Sequence, residues 1–366
     1  MSEALRKNAF AREQLLSTAI RACQELPVQD FSGGQRLTFE LNSVGILRFL
    51  LVSFEGTLNL SGGSADPAWS KKAPYNIFPN IAFRDIVGTR RVDVSAFMLQ
   101  NLVHLNRYGY AAEYTPTAYG HSTAGYALPS FSGTGDYTVR FNVVVPIAYD
   151  EDDLRGALVL AVPNAKAYLE VTCTNDLNDA TNEDYVTVGG DRTVALSGKV
   201  KVTQYYFNPE ARGGRIELPN LDLMQIHEIR EIKTTSNLAQ GMEKLFSLPT
   251  GRVYHLILAQ YFKGTAANEG PNTTDIDRVR FLYDGNTPTL SEGLQQYLWR
   301  IRAMYGRDVP EGLFPIDLRK RPWDSNVWGQ LQVGLRLSAA PGTNPYMLFL
   351  TKSLYTAEQT LGGPGQ

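Results

Sequence analysis

The feature that most constrains the fold of this chain is an alternation of apolar and polar residues with a period of two. It begins after Arg36, where Leu37, Phe39 and Leu41 alternate with polar residues. The same alternation returns at 52–60, 139–145, 169–173, 200–202, 279–283 and 327–337. Because successive side chains of a strand point to opposite faces, each segment predicts a strand with one buried face. So many strands with so few helical patterns predict an all-β sandwich or barrel.

Three segments carry helical patterns instead. Residues 1–27 have apolar side chains at spacings of three, four and seven, which predict an N-terminal amphipathic helix that ends at a proline. A short helix is predicted at 150–163, where four acids lie over its first turn, and another at 291–306, which a glycine closes. Since a capped helix between strands occurs twice, about 140 residues apart, we predict two similar β domains in tandem.

Composition and charge exclude several functional classes. The 366 residues are 43% hydrophobic and carry a net charge of −2, which indicates a globular protein without the positive field that gathers nucleic acid. The two cysteines, Cys23 and Cys173, are too few for a disulfide framework or a four-cysteine zinc site, and we interpret both as buried thiols. Neither a secretory signal nor a membrane-spanning segment is predicted.

The motifs that could carry catalysis or metal binding are incomplete. His121 precedes Ser122, but the second glycine of a nucleophile elbow is absent. The segment 227–231 lacks the second histidine of a zincin helix. The acids at 150–153 are explained by helix capping, and the basic run at 319–321 by a solvated corner or an intersubunit salt bridge. Hydrogen-bonded roles are favoured over a shared metal for the four histidines: His104, His121, His227 and His255. We therefore expect no catalytic residue, no cofactor and no metal site.

One segment resembles a known family closely. It reads Val145-Pro-Ile-Ala-Tyr-Asp-Glu-Asp-Asp-Leu-Arg-Gly-Ala-Leu-Val-Leu-Ala161 and continues as Val162-Pro-Asn-Ala-Lys-Ala-Tyr-Leu-Glu170. The major capsid proteins of the tectiviruses have a similar Val-Pro-Leu-Ala-Tyr strand end, an acid-capped Asp-Leu-x-Gly-Ala helix, a Val-Pro turn and a charged strand. A second resemblance covers 297–337, and the N-terminal helix followed by a linker is also similar.

The resemblance implies a double jelly roll, in which two eight-stranded jelly rolls lie side by side in one chain. An N-terminal helix would precede them, and each jelly roll would contain one short helix. The implied domains are the helix at 1–27, a first jelly roll at 28–170, a second jelly roll at 171–355 and a flexible C-terminal arm at 356–366.

The function implied by this resemblance is structural and not enzymatic. The chain would be the major capsid protein of an icosahedral double-stranded DNA phage with an internal membrane. Homotrimers with a pseudo-hexagonal outline would tile the shell. The implied partners are neighbouring capsomers, minor capsid and vertex proteins and the internal lipid membrane, without sequence-specific binding of nucleic acid. The protein would lie in the virion, and in the host cytoplasm during assembly.

The resemblance also places the N-terminal helix on the inner side of the shell. We expect Arg6, Lys7 and Arg12 to contact anionic lipid headgroups or a neighbouring trimer, because cationic residues on an amphipathic helix are attracted to such a surface. The alternative is that this helix packs beneath its own jelly roll.

Two other readings of the whole chain stay open at this point. A spike or minor vertex protein of a similar virion would share the β class. A carbohydrate-binding or hydrolytic β-sandwich would use a platform of aromatic side chains on which sugars stack. The candidate residues for that platform are Tyr108, Tyr110, Tyr114 and Tyr119.

Overall fold

A computed structural model gives the architecture of the chain. It describes residues 16–17, 19–63, 68–70, 72–106, 116–117, 121–122, 128–150, 154–160, 166–177, 186–187, 193–208, 210–211, 214–215, 225–235, 238–264, 271–283, 287–306, 309–342 and 344–356. No helix in these ranges is both long enough and apolar enough to cross a membrane.

Strands dominate both halves of the chain. Those of the first half are β1 (Ile20–Glu25), β2 (Gln29–Asp30), β3 (Arg36–Glu40), β4 (Ile46–Ser61), β5 (Ala68–Trp69), β6 (Asn80–Arg84), β7 (Arg90–Val94), β8 (Pro116–Thr117), β9 (His121–Ser122), β10 (Gly135–Pro146), β11 (Leu158–Val159), β12 (Tyr168–Thr172), β13 (Val186–Thr187) and β14 (Thr193–Asn208).

The rest of the chain continues with strands β15 (Glu210–Ala211), β16 (Gly214–Arg215), β17 (Gln225–Thr235), β18 (Glu243–Ser247), β19 (Val253–Phe262), β20 (Ile276–Tyr283), β21 (Thr287–Gly293), β22 (Leu313–Asp317), β23 (Trp323–Asp324), β24 (Leu331–Leu337) and β25 (Tyr346–Thr356). The helices are α1 (Ala96–Asn106), α2 (Leu294–Tyr305) and α3 (Ser325–Trp328), and a 3₁₀ turn spans Tyr75–Ile77.

The main strands of each half form two sets of four, and short strands pair at their sides: β2 with β14, β11 with β4 and β23 with β19. In the first half the strand orders are β1-β14-β4-β10 and β7-β6-β12-β3. In the second half they are β22-β19-β25-β17 and β18-β24-β20-β21. The pairs within each half are antiparallel, as expected for jelly rolls. The predicted class of two tandem eight-stranded jelly rolls is therefore confirmed.

The two halves share one sheet. Strand β17 of the second half runs parallel to β7 of the first half, with Ile229 opposite Val92 and Arg230 opposite Asp93. This pairing joins two four-stranded sheets into one continuous sheet from β22 to β3. The division between the halves therefore runs through a hydrogen-bonded sheet.

A single apolar core extends through both halves. The alternating residues of the strands supply it, and it includes Phe54 and Phe141 of the first half together with Tyr297 and Phe349 of the second. The rings of Phe54 and Phe141 lie 5.6 Å apart between their centroids. Burial of this apolar surface is the main stabilising contribution to such a fold.

The predicted helix at 1–27 is wrong in its last turns, because residues Ile20–Glu25 form strand β1. This strand pairs with the edge of β14, where Ile20 lies opposite Asn208 and Glu25 opposite Thr203. Hydrogen bonding to that open edge outweighs the helical spacing of a few apolar side chains, most of which remain exposed. Residues 1–15 lie outside the described part of the chain. Cys23 is exposed on β1, which corrects the interpretation of it as a buried thiol, whereas Cys173 is buried.

The predicted helix at 150–163 is also wrong over its described residues. A turn in which the Ala157 N–H donates to the Leu154 carbonyl is followed by β11, which pairs with β4. Gly156 has a φ of 74°, in the left-handed region, which breaks a right-handed helix. The longest helix among the described residues of the first half is α1, and its buried residues include Phe97, Met98, Leu99 and Leu102.

The second predicted helix begins at Leu294 and ends at Tyr305. The preceding residues belong to β21, so that the acid at Glu292 lies in a strand and not in the first turn. Gly306 caps the helix in the left-handed conformation, with a φ of 67°, and its N–H donates to the Arg302 carbonyl. Tyr297 and Ile301 face the core, as the predicted apolar stripe requires.

The proposed domain boundary between residues 170 and 171 falls inside β12. That strand pairs with β3 and β6, and β14 pairs along its length with β4, so both belong to the first half. The sheets place the division between Asn208 and Gln225. At the other end of the second half, Thr356 is the last residue of β25, and the rest of the proposed C-terminal arm lies outside the described residues.

Candidate functional site at the seam between the two halves

Polar side chains hold the two halves together where β17 meets β7. We call the line of contact the seam, and define it by side chains whose hydrogen bonds cross from one half to the other. They are Lys72, Ser95, Asn101 and Tyr149 of the first half, and His227, Glu231, His255, Gln260, Tyr346 and Lys352 of the second.

Glu231 of the second half caps the helix α1 of the first. Its Oε2 accepts hydrogen bonds from the N–H of Ser95, at 2.9 Å, and from the Ser95 Oγ, at 2.5 Å. Ser95 in turn accepts a hydrogen bond from the Met98 N–H, as an N-cap residue does. Burial raises the pKa of Glu231, and the hydrogen bonds from Ser95 oppose that effect. A carboxylate at this position also stabilises the positive end of the helix dipole.

A buried lysine makes a second contact across the seam. The Lys72 Nζ donates to the Tyr346 hydroxyl at 2.7 Å and lies 4.9 Å from the centroid of the Phe262 ring. The rings of Phe262 and Tyr346 stack at 4.6 Å, and the Lys233 Nζ lies 4.5 Å from the Tyr346 ring. A cavity of about 200 Å³ lies beside these groups, and both halves line it. Two ammonium groups therefore share one aromatic surface here.

A third contact joins α1 to β19. The Asn101 Nδ2 donates to the Gln260 Oε1 at 2.9 Å, and the Gln260 Nε2 donates to the Glu311 carbonyl at 2.9 Å. Both amide side chains are buried. Since the Asn101 and Gln260 amides each have a hydrogen-bond partner, their burial does not destabilise the seam.

Two histidines enclose one tyrosine farther along the seam. The centroid of the Tyr149 ring lies 5.5 Å from that of His227 and 5.1 Å from that of His255. The Tyr149 hydroxyl hydrogen-bonds to the His255 Nδ1 at 3.0 Å. The Lys352 Nζ donates to the Tyr149 carbonyl at 2.5 Å and lies 4.0 Å from the centre of its ring. We call Tyr149, His227, His255 and Lys352 the histidine cluster.

His227 is held in its neutral form. Its Nδ1 donates to the Ile147 carbonyl at 2.9 Å, across the seam. Burial, together with the nearby charge of Lys352, holds the pKa of His227 well below its ordinary value. The imidazole is therefore uncharged near pH 7.

The backbone of Gly156 fits closely against His227. A Cβ atom on this glycine would lie 2.3 Å from the Cβ of His227, so a side chain has no room there. The Gly156 carbonyl accepts a hydrogen bond from Arg91 at 2.9 Å, and the Nε of Arg91 is 2.8 Å from an oxygen of Asp85. Glycine at this position thus allows the 154–160 turn to approach β17.

The incomplete zincin motif at 227–231 lies on strand β17 and not on a helix. His227 and Glu231 take part in the seam, whereas Glu228 is bound by Arg252, at 3.0 Å, and by Arg230. The geometry of a zincin helix, which brings side chains four residues apart onto one face, is therefore absent from this segment. Of this motif, His227 and Glu231 connect the two halves.

The basic run at 319–321 contains an ion pair within the chain. Arg319 binds the carboxylate of Asp317 with its Nε and Nη2, at distances from 2.5 to 3.1 Å, while Lys320 and Arg321 are exposed. Burial by itself would raise the pKa of Asp317, but the hydrogen bonds and charge of the Arg319 guanidinium lower it. Arg319 is therefore paired inside its own chain.

The structure describes three of the other candidate residues from the sequence. His104 is half-buried on α1, and His121 and Ser122 form β9. The following candidates lie outside the described residues: Arg6, Lys7, Arg12, Tyr108, Tyr110, Tyr114 and Tyr119.

The histidine cluster is not predicted by any local pattern of the sequence. Its members come from β17, β19, β25 and the segment after β10, and only the fold brings them together. One signal was available, since Lys352 and His255 each interrupt an apolar strand at a buried position. A charged or polar residue in such a strand indicates a specific partner.

Several large apolar side chains are exposed on the second half. Trp299 on α2 is 78% exposed, and Val327 and Trp328 on α3 are 70% and 51% exposed. Exposed tryptophans of this kind are typical of surfaces that contact other proteins.

Comparison with protein families gives a match over most of the first half. The family model of the P3 major capsid protein N-terminal domain matches residues 10–215. Its end at residue 215 agrees with the division seen in the sheets. The chain is also 23% identical to the major capsid protein P3 of Enterobacteria phage PRD1 over 344 residues, which cover 87% of this chain and 84% of that protein.

Comparison with solved structures supports the fold. The crystal structure of the STIV MCP matches with a TM-score of 0.66 at 16% identity, over 94% of this chain and 100% of that one. The major capsid protein P2 from bacteriophage PM2 matches with a TM-score of 0.51 at 11% identity, over 92% of this chain and 98% of that one. At these identities the similarity demonstrates a shared fold.

The close contact between Gly156 and His227 leads to a prediction. Gly156→Ala should lower the free energy of unfolding by about 1–3 kcal/mol more than Gly88→Ala, measured by chemical denaturation. Gly88 is the matched control, because its φ of 83° is also left-handed but a Cβ there would meet no atom within 4 Å. Equal losses for the two variants would show that backbone strain alone, and not the seam, sets the cost.

Proposed function

We propose that this chain, which belongs to the family of P3 major capsid proteins, forms the icosahedral shell of a double-stranded DNA phage with an internal membrane. The observation that carries the proposal is the match of the family model to residues 10–215, the whole span of the first jelly roll. The complete second jelly roll, attached through a shared sheet, supplies the rest of a capsid subunit. The protein belongs in the virion shell and is synthesised and assembled in the host cytoplasm.

The architecture explains how one chain can tile a shell. Each chain contributes two similar jelly rolls, so three chains around a threefold axis present six similar units. Such a homotrimer has a pseudo-hexagonal outline and packs against neighbouring capsomers on all sides. Minor capsid and vertex proteins would then complete the shell where the hexagonal packing is interrupted.

The described polar residues of the seam support a structural role without catalysis. Their hydrogen bonds join one half to the other, and Glu231, Asn101 and Gln260 are each occupied by a partner in the chain. A rigid connection of this kind suits a subunit that bears load in a shell. We propose that the protein has no enzymatic activity and requires no cofactor.

The N-terminal segment supports a contact with the membrane or a neighbour. Strand β1 pairs with the edge of β14 from Ile20 onward, and Leu16 and Ala19 before it pack against an apolar cluster that includes Ile46 and Phe207. The sequence before Leu16 contains Arg6, Lys7 and Arg12, which would bring three positive charges to a surface that this segment contacts. Anionic lipid headgroups of the internal membrane attract such residues.

The trimer leads to a prediction about mass. Light scattering after gel filtration should give a species of three times the 40.6 kDa chain mass, and this species should survive dilution. A large interface between rigid subunits explains that persistence. A stable monomer would contradict the trimer, and binding on a glycan array would favour the carbohydrate-binding alternative instead.

The N-terminal charges lead to a second prediction. The triple variant Arg6→Glu, Lys7→Glu, Arg12→Glu should lose binding to vesicles of anionic phospholipid, because repulsion replaces attraction at the headgroups. Co-sedimentation with anionic and with neutral vesicles measures the effect.

A matched control reverses three exposed charges of the second half, as Lys244→Glu, Lys320→Glu and Arg321→Glu. This variant changes the net charge by the same amount and should bind anionic vesicles as the wild type does. If the N-terminal triple variant also bound them unchanged and still assembled, the proposed contact would be wrong.

A further inference from the structure

The histidine cluster places ionisable groups where a rigid connection does not need them. His227 is 1% exposed, Lys352 1% and His255 5%, so all three are removed from water. Apolar side chains of similar volume stabilise buried contacts at least as well as buried ionic groups do. The stability of the seam therefore does not by itself explain why the cluster contains imidazoles.

The hydrogen bonds leave no acceptor for a second proton on His227. Its Nδ1 already donates to the Ile147 carbonyl, so the Nε2 of the neutral ring is unprotonated. That Nε2 is buried and has no hydrogen-bond partner among the described residues. A proton added there would be a buried charge without a partner, which is strongly unfavourable.

The charges around His227 increase this penalty. Lys352 on β25, Arg91 on β7 and His255 on β19 all act on its ring in the same direction. Arg155 lies 4.8 Å from the Tyr149 ring, beside the same cluster. The nearby acids among the described residues include Asp85, which is ion-paired with Arg91, and Asp317 on β22, which is ion-paired with Arg319. Asp150 follows Tyr149 in the chain. Glu228, on the same strand as His227, is bound by Arg252.

We propose that the histidine cluster is an acid-sensitive latch between the two jelly rolls. Proton uptake by His227 places new positive charge beside Lys352 and Arg91, and the seam around Tyr149 opens to solvate it. Each jelly roll keeps its own sheets while this contact loosens. The latch goes beyond the role of the protein in the shell, because it makes the rigidity of the subunit depend on pH.

The direction of the effect follows from the neutral state of the buried ring. The pKa of His227 is lowered by folding, so the open or unfolded chain binds more protons below the ordinary imidazole value of 6.5. Stability contributed by the closed seam is thus complete above that pH and is lost progressively as the pH falls below it. Each histidine held in this way can change the opening equilibrium by up to about tenfold per pH unit.

Paired variants test the latch. His227→Asn and His255→Asn together replace both imidazoles with side chains that do not titrate but can still hydrogen-bond through an amide at the Nδ1 position. The thermal midpoint of the wild type should fall between pH 7.5 and pH 5.5, and the double variant should lose most of this fall. The control variant His104→Asn removes a histidine outside the cluster, and its thermal midpoint should fall as much as that of the wild type. An identical fall in the wild type and the double variant would overturn the proposal.

Hydrogen exchange of the wild type tests the same idea without any substitution. After correction for the intrinsic effect of pH on exchange, peptides that cover Gln225–Thr235 and Tyr149 should lose protection at pH 5.5 relative to pH 7.5. Peptides from Ile46–Ser61, which is strand β4 in the sheet that the second half does not share, should keep their protection. A uniform change along the chain, or no change at the seam, would contradict a local latch. The trimer mass at pH 7.5 is measured separately, so a failed latch leaves the capsid role intact.

Discussion

The parallel pairing of β7 with β17 is the contact on which the rest of the structure depends. It is short, with two residue pairs, yet it makes one sheet out of the sheets of both jelly rolls. Because so few backbone hydrogen bonds join the halves, the contact needs further support. The shared apolar core supplies most of it, and the side chains of the seam fix the register of one half against the other.

Polar contacts across the seam give this connection its specificity. Glu231 satisfies the N-terminus of α1, and Lys352 reaches the Tyr149 carbonyl, so each half completes hydrogen bonds that the other half leaves open. An apolar seam would allow one half to shift along the other. A buried polar group, in contrast, destabilises the fold unless it meets its own hydrogen-bond partner. In the proposed trimer each subunit would supply two of six similar edges, and that arrangement would require a fixed angle between its halves.

The sequence predicted the β class and most of the strands correctly, since alternation is a local property that the fold preserves. It mispredicted Ile20–Glu25, because the pairing of a segment with a distant sheet edge leaves no local signal. Helix α1 was missed since its buried residues do not form a single stripe, and the turn at Gly156 was mistaken for a helix because its acids resemble a cap. The histidine cluster depends on the register of three strands, so composition and spacing could not reveal that Tyr149 meets His255 and Lys352.

Native-state hydrogen exchange at neutral pH, followed in increasing denaturant, tests the central claim that the seam makes one cooperative unit of two jelly rolls. The slowest amides of β4 in the first half and of β24 in the second should open with the same free energy and depend equally on denaturant. A result in which one jelly roll opens at a clearly lower free energy than the other would contradict the account.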